Sequence, residues 1–442
     1  MAIPTPELKK FEKDVQQCMK CGFCAYFCPV YRQDQMEKSL ARGKNQLVRG
    51  ILSGRQELTQ GIVDIMNKCL LCKTCVYFCP AKARIDRAVT AARADLVAAK
   101  GLPLAKRFVF HYILPNRRLF GLFLKVASWF QHILPGSGRF RHLPEFLYAL
   151  GRGRHIPSIA DTFLRQQLPE VLSPPAGVPV KARAAFFSGC AMEFAFPEKA
   201  VALVRHLTSL GVEVTFDKAQ GCCGAAVYMS GDFETGRKMA LKNVEALENY
   251  DFIITGCATC SSGLKEYAQY LARDEEEKKR FERFASKVRM YSEFLSDELG
   301  VPKEGYKLRE AFRGKKVTWH DPCHLSRHQE IRSQPRDVLK SLEGIAYVEM
   351  PNADACCGLG GSFSIHYYDL SKKIADEKVQ GILATGADVV ATACPGCIIQ
   401  IRDALMRHRK DIEVVHIADL MEPGRGALRV PPARTKVTAG KA

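Results

Sequence analysis

Ten cysteines between Cys190 and Cys397 fall into two copies of one pattern, and they constrain this chain more than any other feature. The first copy is Cys190, then Cys222-Cys223-Gly224, then Cys257-x-x-Cys260. The second is Cys323, then Cys356-Cys357-Gly358, then Cys394-x-x-Cys397. The gaps are 31 and 33 residues in the first copy, 32 and 36 in the second. Adjacent cysteines bridge each other poorly, because a disulfide needs Cα atoms ~4.4–6.8 Å apart in a suitable geometry. A Cys-Cys-Gly step instead offers two thiolates at one backbone corner, beside a glycine free to adopt unusual φ. That suits a metal centre better than a staple.

The eight remaining cysteines form two runs: Cys18-x-x-Cys21-x-x-Cys24-x-x-x-Cys28-Pro29 and Cys69-x-x-Cys72-x-x-Cys75-x-x-x-Cys79-Pro80. This is the spacing of two-cluster bacterial ferredoxins, in which three thiolates wrap one cubane and the fourth reaches the other. The expected sets are Cys18, Cys21, Cys24 and Cys79 on one [4Fe–4S] cluster, with Cys69, Cys72, Cys75 and Cys28 on a second. Zinc is the competing reading, but zinc sites use two separated pairs rather than a run of four before proline. Leu40, Leu47, Val48 and Ile51, then Ile62, Val63 and Ile65, recur at helical spacing between the runs. They predict a mostly helical ferredoxin domain, continued by a helix over 85–99.

The N-terminus has no apolar secretory core and no stretch of 18 apolar residues occurs, so neither export nor a membrane-spanning helix is expected. A cytoplasmic chain with 18 cysteines argues for metal rather than disulfides. The net charge is +18. Much of it gathers in a connector, where Lys106, Arg107, Arg117, Arg118, Lys125, Arg139, Arg141, Arg152 and Arg154 face one acid, Glu145. The apolar stretch from Leu119 to Leu134 lies among them and is too short to cross a bilayer. Two readings stand: a core helix packed between domains, or a surface helix that docks a partner protein or lies on the inner face of the membrane with basic residues on anionic lipid. Nucleic acid is disfavoured, since no binding motif accompanies the basic patch.

From Lys181 the pattern alternates strands and helices. Strands are expected at 182–188, 212–216, 251–255, 316–319, 346–350, 388–392 and 412–417, with the cysteines at their ends, where α/β sheets place sites. A charged helix is expected over 274–299. The fold class is therefore α/β, as two duplicated cysteine-rich halves behind an α-helical ferredoxin domain. The expected boundaries are 1–100 for the ferredoxin domain, 101–180 for the basic connector, 181–300 and 301–422 for the two halves, and 423–442 for a flexible tail.

His320, His324 and His328 surround Cys323 and are read either as proton or second-layer donors to a cluster sulfur or as histidines that shape the loop. Asp321 before Pro322 reads as a turn cap. Gly358, Gly360 and Gly361 read as positions where backbone crowds a cluster.

The words His320-Asp321-Pro322-Cys323-His324, Cys356-Cys357-Gly358-Leu359-Gly360-Gly361-Ser362-Phe363 and Ala393-Cys394-Pro395-Gly396-Cys397, with the ferredoxin runs in front, identify a resemblance. The chain resembles the CCG-domain iron–sulfur oxidoreductases: the heterodisulfide reductases, and the iron–sulfur subunits of glycolate oxidase, anaerobic glycerol-3-phosphate dehydrogenase and the lactate-utilisation enzymes. The resemblance covers about 10–100 and 180–420. It implies a non-cubane [4Fe–4S] cluster on Cys190, Cys222, Cys223, Cys257 and Cys260, and a second on Cys323, Cys356, Cys357, Cys394 and Cys397. It also implies an FAD-containing dehydrogenase subunit as partner, an electron-transfer flavoprotein as a further candidate, and a quinone or other carrier as acceptor. With no nucleotide fingerprint or hydrolytic triad, no catalytic residue is assigned. The expectation is an electron-transfer subunit of a glycolate or D-lactate dehydrogenase. A disulfide reductase acting at a non-cubane cluster is the alternative. The ten cysteines are expected at the far end of an electron path from the ferredoxin domain.

Overall fold

The computed structural model describes residues 3–136, 139–143, 153–302 and 305–422. The expected tail, 423–442, lies outside the described residues.

The N-terminal part is helical, as the apolar spacing predicts. Helix α1, Ala41–Leu52, turns Val48 and Ile51 inward, and helix α2, Ile85–Lys100, turns in Ala88, Val89, Ala91, Ala92 and Leu96. Together with Leu8, Val15, Leu58, Val63 and Met66 they make a core separate from that of the two α/β halves. The alanines let neighbouring backbones pack closely on α2. The carboxylate of Asp95 on this helix accepts from the amides of Glu7 (2.9 Å) and Leu8 (3.0 Å), fixing the first helical turn of the chain. Each cysteine run ends in a short helical turn, Cys24–Phe27 and Thr74–Tyr77. Phe27 and Phe78, equivalent residues of the two runs, stack with centroids 4.0 Å apart and planes 10° from parallel. The runs are thus related about a local dyad marked by this ring pair.

The connector carries helix α3, Arg117–Phe130, capped by Asn116, whose side-chain oxygen accepts from the amide of Leu119 (3.0 Å). Its orientation overturns the core-helix reading. Phe120 packs edge-on to Phe194, Ser128 and Arg117 are buried, and Gln131 just beyond it exchanges hydrogen bonds with Ile159. Leu119, Leu122, Phe123, Val126, Trp129, Phe130 and Ile133 point outward, Trp129 at 70% exposure. The small and polar side packs inward and the apolar stripe faces solvent, the reverse of an ordinary surface helix.

Each α/β half is a parallel sheet with one strand order. In the first half, β1 (Ala182–Phe186) lies between β2 (Val212–Thr215) and β3 (Phe252–Thr255), and β4 (Val288–Met290) follows β3. In the second half, β5 (Lys316–Trp319) lies between β6 (Ala346–Val348) and β7 (Val389–Thr392), and β8 (Glu413–His416) follows β7. The first half adds an antiparallel edge strand, Val171–Leu172, against β2. The inner strands are short apolar runs such as FIIT and VVAT, as expected where helices cover both faces. The strand expectations hold to within two residues at each end. The span 274–299 differs. It is interrupted: the α-helix Glu275–Ala285, begun by the Asp274 side chain accepting from the Glu277 amide (2.8 Å), is followed by β4, and helical turns resume only at 291–298. A three-residue strand is shorter than the window in which alternation can be seen.

Candidate metal centre

In both sheets the strand order reverses at the first strand, and the cysteines collect at the carboxyl ends around that point. Cys190 and Cys323 follow β1 and β5. The adjacent pairs follow β2 and β6. Cys257 and Cys394 stand at the N-caps of the helices Ala258–Lys265 and Pro395–Arg407, with Cys260 and Cys397 inside their first turns. Gly189 shows why glycine precedes Cys190: its φ is +65°, and a Cβ there would lie 2.6 Å from the sulfur of Cys260.

The two halves meet face to face at these ends. The Ala258 amide donates to the carbonyl of Ala393 (2.9 Å), and the hydroxyl of Thr259 lies 3.5 Å from the sulfur of Cys394. The ten thiols consequently form one connected line. Cys190 neighbours Cys222, Cys222 neighbours Cys223, Cys223 neighbours Cys260, and Cys260 neighbours Cys257. Cys257 neighbours Cys394 across the seam, and Cys394 neighbours Cys397. Cys397 stands 3.7 Å from Cys357, which neighbours Cys356, which neighbours Cys323. All eighteen cysteines of the chain are free thiols.

The line does not stop there. Cys356 also neighbours Cys72 of the second ferredoxin run. Gly360, with φ +53°, makes this approach: a Cβ on it would come 2.4 Å from the side chain of Leu70. The second cysteine set therefore abuts the ferredoxin domain, which corrects the expectation that the ten cysteines as a group lie at the far end of a path from it. Within the ferredoxin domain, Cys28, Cys69, Cys72 and Cys75 line one cavity with Val30, Leu70 and Ile85. Cys28, from the first run, has Cys72 and Cys69 of the second run as neighbours. Cys24 lies by Cys18 and Cys28, Cys21 is exposed, and Cys79 follows Phe78 at the dyad.

Burial pushes the Cys28 thiol up to about 11, and also raises Cys75. Crowded buried thiols of this kind ionise readily only beside a cation, and a bound metal deprotonates them outright. Buried cations stand at each set. Arg327 donates to the carbonyl of Cys72 (2.8 Å), while its Nη2 has no partner among the described residues. Arg117 donates to the carbonyl of Gly189 (2.6 Å), while its Nε and Nη1 have none. Lys378 donates to the carbonyls of Asn352 (3.0 Å) and Ala353 (3.1 Å), and burial draws it down to about 8. Orphaned buried donors beside clustered thiols fit an anionic metal–sulfur group.

A charged cluster ties the three parts together. Lys73 Nζ lies 2.5 Å from Glu266 and 3.7 Å from Asp86, and Nδ1 of His328 lies 2.9 Å from Glu266. The other nitrogen of His328 meets the Leu71 carbonyl at 2.9 Å. Both ring nitrogens face oxygen acceptors, so His328 serves the domain junction. His324 Nδ1 lies 2.6 Å from the Ser262 hydroxyl in the other half, and burial lowers it to about 3. His320 is buried beside Cys357 and Cys397, and burial likewise lowers it to about 3. Asp321 accepts from Trp319 Nε1 (2.7 Å) and pairs with Arg336 (2.8 Å), a structural role. Arg327, Lys378, Lys73 and Glu266 were not singled out from sequence, and Arg117 was read only as part of the basic connector. Arg327, four residues after Cys323, was the one with a positional signal.

A 4Fe-4S dicluster domain matches residues 14–83, and a CCG cysteine-rich domain matches 184–265 and 317–402. The chain is 30% identical over 432 residues to the probable glycolate oxidase iron-sulfur subunit of Bacillus subtilis, covering 94% of this chain and 95% of that protein. It is 31% identical over 239 residues to lactate utilization protein A of a Geobacillus species, covering 54% of this chain and 98% of that one. It is 33% identical over 220 residues to lactate utilization protein A 2 of Bacillus mycoides, covering 50% and 90%. No described helix is long and apolar enough to cross a membrane. With a ferredoxin domain in front of two duplicated α/β halves, their cysteines gathered at one seam, the chain belongs to the CCG-domain family of iron–sulfur oxidoreductase subunits and carries [4Fe–4S] clusters.

Proposed function

We propose that this chain takes electrons from an FAD-containing partner that oxidises a 2-hydroxyacid, glycolate or D-lactate, and relays them to a quinone or another carrier. One cubane cluster is held by Cys18, Cys21, Cys24 and Cys79, and another by Cys69, Cys72, Cys75 and Cys28. The ten remaining cysteines hold one or two further clusters of the non-cubane kind. The observation that carries the reading is the unbroken run of thiols from the cavity at Cys28 through Cys72 and Cys356 to Cys190. Such a run suits charge relay between centres. The relatives' names supply the class of donor.

The test is anaerobic co-purification with the flavoprotein, followed by addition of glycolate or D-lactate. Bleaching of the iron–sulfur absorption, with iron and labile sulfide in amounts matching three or four clusters, is the expected result. Stoichiometric zinc without sulfide, or an isolated chain that reduces disulfides with an artificial donor and binds no flavoprotein, overturns it.

The outward apolar stripe of α3 is the docking surface for an anionic membrane, where a quinone would be met. Exposed Arg118, Arg107 and Lys125 border the stripe, and the net charge of +18 favours anionic lipid. Full chain should sediment with phosphatidylglycerol-rich vesicles and not with phosphatidylcholine alone, and Trp129→Glu with Phe123→Glu should abolish this. Equal binding by that double variant, or loss of flavoprotein binding in place of vesicle binding, sinks the membrane assignment.

A further inference from the structure

The two cysteine sets are built alike except at one buried position beside the sulfurs. Strand β1 runs into Phe187, three residues before Cys190, and β5 runs into His320, three residues before Cys323. The fold holds the two residues the same way. The Phe187 amide donates to the Ile254 carbonyl on β3 (2.8 Å), and the His320 amide donates to the Ala391 carbonyl on β7 (3.0 Å). Phe187 is wholly buried and His320 is 1% exposed. They are one place in the repeat, filled by a hydrocarbon ring in one copy and an imidazole in the other.

An imidazole is a costly filler there. Neither ring nitrogen of His320 has a hydrogen-bond partner among the described residues, although buried polar groups are nearly always paired. One ring nitrogen and the sulfurs of Cys357 and Cys397 all lie within 4.8 Å of one another, and the two sulfurs are 3.7 Å apart. Ligand atoms roughly 2.0–2.3 Å from a shared tetrahedral metal stand roughly 3.3–3.8 Å from each other. The triangle therefore needs little adjustment to close on one metal atom.

We infer that His320 is a nitrogen ligand of the metal centre held by Cys357 and Cys397, so that the two cysteine sets carry chemically different centres. The inference rests on the reading of these cysteines as cluster ligands. The first set is thiolate-only. The second adds a neutral imidazole to its five thiolates, at the place where the first has a phenyl ring.

The test uses full-length protein purified without oxygen, as wild type, His320→Phe (the residue of the first copy) and His320→Cys. Iron and labile sulfide are measured on each, and pulsed EPR is recorded on protein grown with 15N-histidine. The expected result is a directly bonded nitrogen coupling in wild type that responds to the label and is lost in both variants. His320→Cys should also keep its metal content while the potential of one centre falls. Full iron and sulfide with no histidine coupling, with one of hydrogen-bond strength only, or with one that survives in His320→Phe, overturns the inference and leaves the proposed function standing. Zinc in place of iron ends the proposed function instead. X-ray absorption at the zinc edge then reads His320 directly: a light scatterer lost in His320→Cys supports ligation, and an all-sulfur shell in wild type overturns it.

Discussion

The thiol of Cys72, from the ferredoxin domain, lies beside the thiol of Cys356, from the second cysteine-rich half. Two parts of the chain that lie far apart in sequence thus share a sulfur contact, and Arg327 braces it. Its guanidinium reaches the carbonyls of Cys72 (2.8 Å) and Asp354 (2.5 Å) from a site almost closed to water. Replacing it by methionine leaves two buried carbonyls short of donors and removes a cation beside anionic sulfur. Arg327→Met should lower stability by about 2–4 kcal/mol, read as a shift in denaturant midpoint. It should also lower the potential of the adjoining centre. An unchanged potential would mean that the arginine is a brace alone.

Glu266 accepts from Lys73 and pairs with His328 where the three parts of the protein meet. These partners hold its carboxyl well below the usual range against the opposing effect of burial. Glu266→Gln keeps the shape and leaves Lys73 with only the longer contact to Asp86. The cost should be about 3 kcal/mol, seen as a lower melting temperature. Limited proteolysis should then cut first between the ferredoxin domain and the halves.

Gly189→Ala is expected to act on one cluster alone. The added Cβ meets the Cys260 sulfur at 2.6 Å, in a backbone conformation at φ +65° that alanine resists. Iron content should fall by the share of the first cysteine set, while the ferredoxin EPR signals stay in place. Equal loss from all centres would show that the sites assemble as one unit.

His206 gives a pH dependence with a defined sign. It is buried on the helix Pro197–Ser209, with Nδ1 2.6 Å from the Tyr291 hydroxyl, and burial lowers it to about 4. The unfolded chain takes up this proton near 6.5 and the folded chain only near 4, so stability falls as pH drops between those values. The loss from this residue is about 3 kcal/mol. Denaturation of wild type and of a His206→Leu/Tyr291→Phe double variant, compared at pH 7 and pH 4.5, measures it. The wild type should lose more, by most of that amount.

Much of this architecture was legible in the sequence because metal ligands and buried parallel strands leave local marks. Cys28 of the first run lies beside Cys69 and Cys72 of the second. The strand ends fell at the cysteines. What stayed hidden depended on contacts distant in sequence. Nothing near Cys72 announces Cys356, and nothing near Lys73 announces Glu266. The stripe from Leu119 to Ile133 shows the same limit from another side. Periodicity reveals that a helix has an apolar face, but only the packing of Phe120 against Phe194 shows that the opposite face turns inward.

The hydrogen bond from Ala258 to Ala393 closes the two halves over their own sulfurs. Of the ten thiols there, only Cys190 and Cys323 are even partly open to solvent. Oxidative damage follows exposure, so oxygen must wait for the halves to part before it reaches the rest. The lifetime of this protein in air is then governed by how often that seam breathes, and a bound partner that clamps it would protect the clusters without touching one of them.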